Sequence, residues 1–479
     1  MRLYLVFRYV GLVLLLDTAM LLVSAGVSAM SHDSATFPLL YSALIAGLFG
    51  AFPLVFVPPA DDISSMEGMA IVVISWLLSC LAGMLPFGLW GGEFTATNAW
   101  FESVSGFTTT GSTILSDLDA LPRGLLFWRS STHWIGGIGI IIFALALLPS
   151  LGAAGAVLYR SEISPLAAES FRQRTRRTLK ILLVTYVGLT ASETALLLVC
   201  GMGPFDAVTH AFATIATGGF SPHATSIAYF HSAWIEGVII VFMVLSGMHF
   251  GLLFAAARGQ PGHLLRSTAT RYYLAGLVCA ALAVTASIHG PVTGDWWSAF
   301  RLATFQVISV GTSTGFATAD SSHWPPFAVL VLLFFTLQCA CSGSTSGGIK
   351  VDRMVIAWKA LIRRVTLTRY PRAVVNAKLD GSTIADDTIE AALLYIVLYI
   401  GIVFASSVIL SALGVDALTA FSGSAAAMGN VGPGFGAVGS MSHFGGLPEA
   451  ARWVLSADMI LGRLEVFGLV AILFGRSWY

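Results

Sequence analysis

Ten predominantly apolar stretches recur along this chain, approximately at 9–29, 36–58, 69–90, 132–150, 179–202, 233–257, 272–290, 326–343, 389–413 and 452–475. Each approaches the roughly 20 residues that a helix rising about 1.5 Å per residue needs to cross about 30 Å of hydrocarbon. A water-soluble fold has no use for so many. Composition agrees, since 56% of the 479 residues are hydrophobic and 10% are charged, against roughly a quarter charged in a soluble domain. No polar region long enough for a separate soluble domain interrupts the pattern. The first run, preceded by Arg2 and Arg8, has the charge order of a secretory signal, but its length and the second run close behind it favour an uncleaved first span.

The 25 basic and 25 acidic residues cancel, which removes the electrostatic case for a nucleic-acid partner. Their placement is informative. The intervals 159–180, 258–271 and 344–378 hold 17 of the 25 basic residues, among them Arg172, Arg174, Arg176 and Arg177 in the first. The positive-inside rule puts these three on the cytoplasmic side. The intervals 91–131, 203–232, 291–325 and 414–451 carry only Arg123, Arg129 and Arg301 and belong outside. These outer intervals are too long for turns and too apolar for solvated loops, so each is expected to dip into the membrane as a half-helix and return as extended chain. Irregular backbone survives at that depth only where protein buries it or water reaches it. Cys80, Cys200, Cys279, Cys339 and Cys341 are odd in number and lack paired spacing, so they read as small core residues. The ten histidines are scattered, without the spacing of a transition-metal site.

Each outer interval ends in a comparable small-residue element: Thr108-Thr109-Thr110-Gly111-Ser112-Thr113, Ile215-Ala216-Thr217-Gly218-Gly219-Phe220, Thr312-Ser313-Thr314-Gly315-Phe316 and Gly429-Asn430-Val431-Gly432-Pro433-Gly434. Gly111, Gly218, Gly315 and Gly432 therefore mark four span/loop/span units in one chain, the internal repeat that governs the fold. A dehydrated potassium ion exchanges water oxygens for backbone carbonyls. Glycine accepts the backbone conformations that aim successive carbonyls to one side. Glycine and threonine are also common at close helix contacts in membranes, but four occurrences at one place in a repeating topology favour a pore.

These elements, the four-fold plan and the two extra N-terminal spans resemble the Trk/Ktr/HKT superfamily of cation transporters, and within it the bacterial TrkH/TrkG type. The resemblance covers essentially the whole chain. It implies an all-α polytopic membrane protein with four covalently linked helix/pore-loop/helix repeats around a pseudo-four-fold pore. The expected divisions are residues 1–60 for the N-terminal helices and 61–178, 179–270, 271–380 and 381–479 for the repeats. It further implies a selectivity filter of Thr109, Thr110, Gly111, Ala216, Thr217, Gly218, Ser313, Thr314, Gly315, Asn430, Val431 and Gly432. In such proteins glycine in every filter accompanies potassium selectivity and serine in the first accompanies sodium transport, so potassium is the expected ion. Two departures stand out: Asn430-Val431 replaces hydroxyl residues in the fourth filter, and Val310-Gly311 precedes the third.

The eighth apolar run ends in Gly343, Ser344, Thr345, Ser346, Gly347 and Gly348, followed by Ile349 and Lys350. Such residues disfavour helix, so the span is expected to break inside the membrane. A phosphate-binding loop fails, because Ile349 holds the lysine position and neither Ser nor Thr follows Lys350. Arg463 lies in the last run, where a charge is costly enough to suggest function, with an ion pair to Glu465 or Glu193 as the structural alternative. Asp17 and Glu193 read as structural. The resemblance makes the 343–348 loop and Arg463 the gate, and it implies potassium uptake in the bacterial inner membrane, a homodimer, and a cytoplasmic nucleotide-binding ring of the TrkA type as regulator. No covalently bound cofactor is expected beyond the transported potassium, and the partners are the ion, the bilayer and the regulator. A proton- or sodium-coupled symporter is the alternative, although such carriers usually have inverted repeats. A membrane-embedded enzyme is disfavoured because no catalytic side chains converge.

Overall fold

Helix accounts for nearly all the regular structure, as long apolar segments require where lipid offers the backbone no hydrogen-bond partner. The computed structural model describes residues 2–59, 64–147 and 171–465. The ends of two expected spans, at 148–150 and 466–475, and residues 159–170 of the first basic interval lie outside the described residues. Two N-terminal helices, Leu3–Ser31 and Thr36–Phe56, pack on each other and are followed by four units of similar plan. The leading helices are Ser65–Trp90, Phe171–Val199, Thr268–Ile288 and Asp386–Ala412. The pore helices are Ala96–Phe107, Pro204–Ile215, Trp296–Gly311 and Ala417–Gly429, at 12, 12, 16 and 13 residues too short to span. Among the described residues the paired strands are confined to Lys378–Leu379 and Ser382–Thr383.

The trailing helices depart most from expectation. Among the described residues six helices are long and apolar enough to cross a membrane, and the pair Ala233–Ser246 and Phe250–Ala257, bent by 111°, makes a seventh span if it is counted as one. The run at 233–257 is therefore two helices. The first trailing helix, Arg123–Leu147, starts nine residues before the apolar run it contains, because Arg129 is buried in an ion pair that hydropathy cannot register. The third, Pro326–Gln338, stops at Cys339, which has φ of 54°, and helix resumes only at Val351–Arg369. The fourth, Glu449–Arg463, has Arg463 in its last turn, and the rest of the expected span, 466–475, lies outside the described residues.

The surface of the fold is apolar where that of a protein in water is polar. Phe49 and Val55 are 71% and 76% exposed, as lipid-facing side chains should be, whereas Asp17 and Asp458 are buried. Both carboxylates accept hydroxyl hydrogen bonds: Asp17 from Ser79 at 2.6 Å, and Asp458 from Ser406 at 2.7 Å and Ser424 at 2.9 Å. Because lipid removes the hydrophobic drive between helices, close backbone approach takes its place. At the crossing of the first two helices a Cβ on Gly11 would lie 2.5 Å from the Gly50 carbonyl oxygen, and one on Gly50 would lie 2.9 Å from that of Gly11. Gly11→Val is expected to lower unfolding stability in detergent by about 1–3 kcal/mol, the usual cost of overpacking, while leaving ion selectivity unchanged. A thermal melt beside a rubidium/sodium flux ratio checks both parts.

Candidate functional site

All four pore helices terminate in one hydrogen-bond pattern. Thr109, Thr217, Ser313 and Asn430 take left-handed φ of 51°, 54°, 57° and 51°. Their N–H groups donate to Gly106, Thr214, Val310 and Ala427 at 2.9–3.1 Å. The next residues, Thr110, Gly218, Thr314 and Val431, donate to Ser105, Ala213, Ser309 and Ala426 at 2.8–2.9 Å. These are the paired bonds of a Schellman cap. Left-handed backbone at Thr109 and Thr217 is uncommon for a β-branched residue and marks a constrained site. The negative end of each helix dipole lies beside the strand that follows it, where it favours a cation.

The caps fix the register of the strands that follow. One residue beyond them Gly111, Gly219, Gly315 and Gly432 have φ of 83°, 80°, 80° and 102°. A Cβ on Gly111 would lie 2.0 Å from the carbonyl oxygen of Gly218, on Gly219 2.1 Å from that of Thr314, on Gly315 2.0 Å from that of Val431, and on Gly432 2.6 Å from that of Thr110. Each strand thus touches the next, and the fourth returns to the first. The matching glycine of the second repeat is consequently Gly219 and not Gly218, a correction of one residue. Gly218 is in register with Thr110, Thr314 and Val431, and a Cβ there would lie 2.2 Å from Nδ1 of His133. Two adjacent glycines hid this difference: one serves backbone conformation, the other makes room for a buried imidazole. Gly311, ahead of the third filter, also makes room, with Leu277 2.7 Å and Phe335 3.1 Å from where its Cβ would be.

Side chains alternate around the ring. Thr108 donates its hydroxyl to Val104 at 2.7 Å and pairs with Thr110 at 2.8 Å, and Thr312 pairs with Thr314 at 2.8 Å. The second and fourth repeats hold Ala216 with Gly218 and Gly429 with Val431 at those places. Asn430 donates to the Thr110 hydroxyl at 3.1 Å and to the Met459 carbonyl at 2.9 Å, so the residue that breaks the hydroxyl pattern ties the fourth strand to the first.

A set of polar clasps behind the ring escaped sequence reasoning. Glu102, His210 and Gln306 all stand seven residues before their cap residue. Glu102 accepts from the Thr113 hydroxyl at 3.0 Å, the Ile114 N–H at 3.1 Å and Nε of Arg129 at 2.8 Å. His210 Nδ1 donates to the Asp206 carbonyl at 2.7 Å, which leaves Nε2 to accept from the Ser221 hydroxyl at 3.1 Å. Gln306 donates to the Ala319 carbonyl at 2.6 Å. In the fourth repeat Ser422 accepts the Phe435 N–H at 2.8 Å. Each pore helix therefore grips its own outgoing strand. The seven-residue offset is the one signal that would have revealed this, and it requires the cap position to be known.

The 343–348 loop forms the floor. Thr345 donates to the Ile215 carbonyl at 3.0 Å and accepts from the Thr217 hydroxyl at 3.3 Å, while Ser313 donates to Ser346 at 2.9 Å and accepts the Gly347 N–H at 3.3 Å. A Cβ on Gly347 would lie 2.4 Å from the Gly429 carbonyl oxygen. The loop is thus in contact with the cap residues of the second and third repeats and with the end of the fourth pore helix. Gly343 and Ser344 start it, and Gly348 leads into Lys350, which has φ of 72°. Arg463 is 1% exposed and donates to the carbonyls of Thr345 at 2.7 Å and Gly136 at 3.2 Å. Neither Glu465 nor Glu193 is among its hydrogen-bond partners, for Glu465 is held by Lys350 at 2.8 Å and Arg353 at 2.6 Å. Among the described residues its hydrogen bonds go to these carbonyls, and its guanidinium lies 5.7 Å from the centre of the Trp76 ring.

A family model described as a cation transport protein, TrkH, matches residues 45–270 and 294–475. The Trk system potassium uptake protein TrkH of Vibrio parahaemolyticus is 36% identical over 99% of each chain, and that of Escherichia coli 35% identical over 98% of each. TrkG of Escherichia coli is 34% identical over 87% of this chain and 86% of that protein. The crystal structure of the potassium transporter TrkH from Vibrio parahaemolyticus superposes with a TM-score of 0.91, 34% identity and full coverage of both chains.

Proposed function

This chain belongs to the TrkH family of cation transport proteins, and from that premise we propose that it takes up potassium through a channel-like pore with Gly111, Gly219, Gly315 and Gly432 as its selective ring and the 343–348 loop with Arg463 as its gate. It is a multi-pass protein of the bacterial inner membrane, from a family of transporters rather than enzymes. The observation that carries the reading is the closed ring, in which four identically capped helices bring four left-handed glycines against neighbouring carbonyls. Oxygen-lined strands with helix dipoles behind them suit a bare cation. The loop beneath, held by the Arg463 bond to the Thr345 carbonyl and by bonds to Thr217 and Ser313, stands where a gate would block the ring from below. A homodimer and a cytoplasmic nucleotide-binding ring of the TrkA type complete the proposal.

Potassium, rubidium and sodium flux into proteoliposomes, with Gly111→Ser beside the native chain, tests it. The native chain is expected to admit potassium and rubidium well above sodium, and Gly111→Ser to lose most of that discrimination. Unchanged selectivity in the mutant would remove the ring from the mechanism. Removing residues 343–348 is expected to raise flux without a regulator, while sodium exclusion is kept.

A further inference from the structure

The bend in the second trailing helix is built onto the 343–348 loop. Helix ends leave backbone groups without intrahelical partners, and such groups need others at membrane depth. Here Cys341, two residues ahead of the loop, and Gly343, its first residue, supply them. The Gly247 carbonyl, just past Ala233–Ser246, accepts the Cys341 N–H at 3.1 Å, and the Phe250 N–H, first in Phe250–Ala257, donates to the Gly343 carbonyl at 3.2 Å. Between these two bonds stands His249. Its Nδ1 accepts the Gly251 N–H at 3.0 Å and caps the second helix, which directs Nε2 elsewhere. The other edge of the ring lies against Gly343, where a Cβ would be 2.1 Å from Cδ2 and 2.5 Å from Nε2. Gly247 is fitted as tightly, with the Tyr273 hydroxyl 2.3 Å and Ala340 Cβ 3.1 Å from its Cβ position. Gly247, Phe250, Ala340 and Cys341 are all buried.

We infer that His249 is a positioning residue for the loop, and that the broken span of the second repeat is the seat on which the loop rests in its occluding place. The inference rests on the reading of 343–348 as the gate. If the loop leaves, the Phe250 N–H at the start of the second helix loses its partner Gly343, so the loop and the Phe250–Ala257 helix move together. After a turn at Arg258 and Gly259 the chain forms the short helix Pro261–Arg266 within the basic interval expected on the cytoplasmic side, so a force applied there reaches the loop without crossing the filter.

Rubidium flux through the full-length reconstituted chain, with no regulator present, tests this. His249→Ala is expected to raise flux about five- to tenfold, the lower part of the range for coupling between sites. His249→Asn retains a cap acceptor but no ring against Gly343, and it should raise flux as well, separating positioning from folding. Gly343→Ala should raise flux as well, through the clash with His249 and the strain of an L-residue at a φ of 78°. In the chain lacking 343–348, His249→Ala should add nothing. Native flux in His249→Asn, or an equal increase with and without the loop, would overturn the inference and leave the gate intact. No rise on removing the loop itself would overturn both.

Discussion

Gly219→Ala is expected to abolish selective potassium uptake, whereas Gly218→Ala should fail only while His133 retains its imidazole. At Gly219 two effects combine. A φ of 80° costs an L-residue roughly 1–2 kcal/mol, and a methyl 2.1 Å from the Thr314 carbonyl oxygen must part the second and third strands. Together they should reduce rubidium uptake by about a hundredfold, about 2.7 kcal/mol at 1.36 kcal/mol per decade. At Gly218 the backbone is not left-handed and the obstacle is one ring, itself stacked on Phe220 at 4.1 Å and fully buried. The ring cannot move aside, so the single substitution is damaging. His133→Ala should relieve it, with a coupling of about 1–3 kcal/mol between the two positions. Uptake retained in Gly219→Ala, with Gly218→Ala beyond rescue by His133→Ala, would reverse the register.

That pair of glycines also shows where sequence reasoning stops. The four repeats, the loop 343–348 and Arg463 were legible because each leaves a composition signature: apolar runs, clustered small residues, a charge inside a span. The register within a repeat was not, because Gly218 and Gly219 are chemically identical and differ only in what surrounds them. The bend at Gly247 was hidden for a related reason. Met248 and Phe250 keep the run apolar, and the partners that permit the break lie about 90 residues later in Cys341 and Gly343. Arg129 counted only as one of few outer charges. Nothing in its own neighbourhood marks it as buried, since its partner Glu102 belongs to a different helix. Long-range pairings of this kind set the fine structure of the pore, and a single sequence carries no record of them.

The buried pair Glu102 and Arg129 yields the second large effect. Arg129 is 2% exposed, donates from Nε to Glu102 at 2.8 Å, and reaches the Ser221 carbonyl and the Thr113 hydroxyl, each at 3.3 Å. Its guanidinium also lies 4.0 Å from the centre of the Phe220 ring. It therefore joins the outgoing strands of the first and second repeats, one on each side of the contact between Gly111 and Gly218. Arg129→Met leaves the Glu102 carboxylate charged and buried without its partner, a change that costs about 3–5 kcal/mol. Against a total stability of about 5–15 kcal/mol, the single variant should be recovered in low yield with a markedly lower melting temperature. Glu102→Gln combined with Arg129→Met removes both charges, and exchange of a buried ion pair for neutral groups is often close to neutral for stability. The double variant should therefore fold. In it, however, the Ser221 carbonyl has lost its donor, the ring of Phe220 its cation, and the Thr113 hydroxyl its guanidinium partner. The first and second strands are then free to separate, and sodium exclusion should fall while total cation flux persists. A double variant that folds and discriminates like the native chain would show that the pair serves stability alone. Loss of discrimination with folding restored would show that selectivity is held from behind the ring as well as within it.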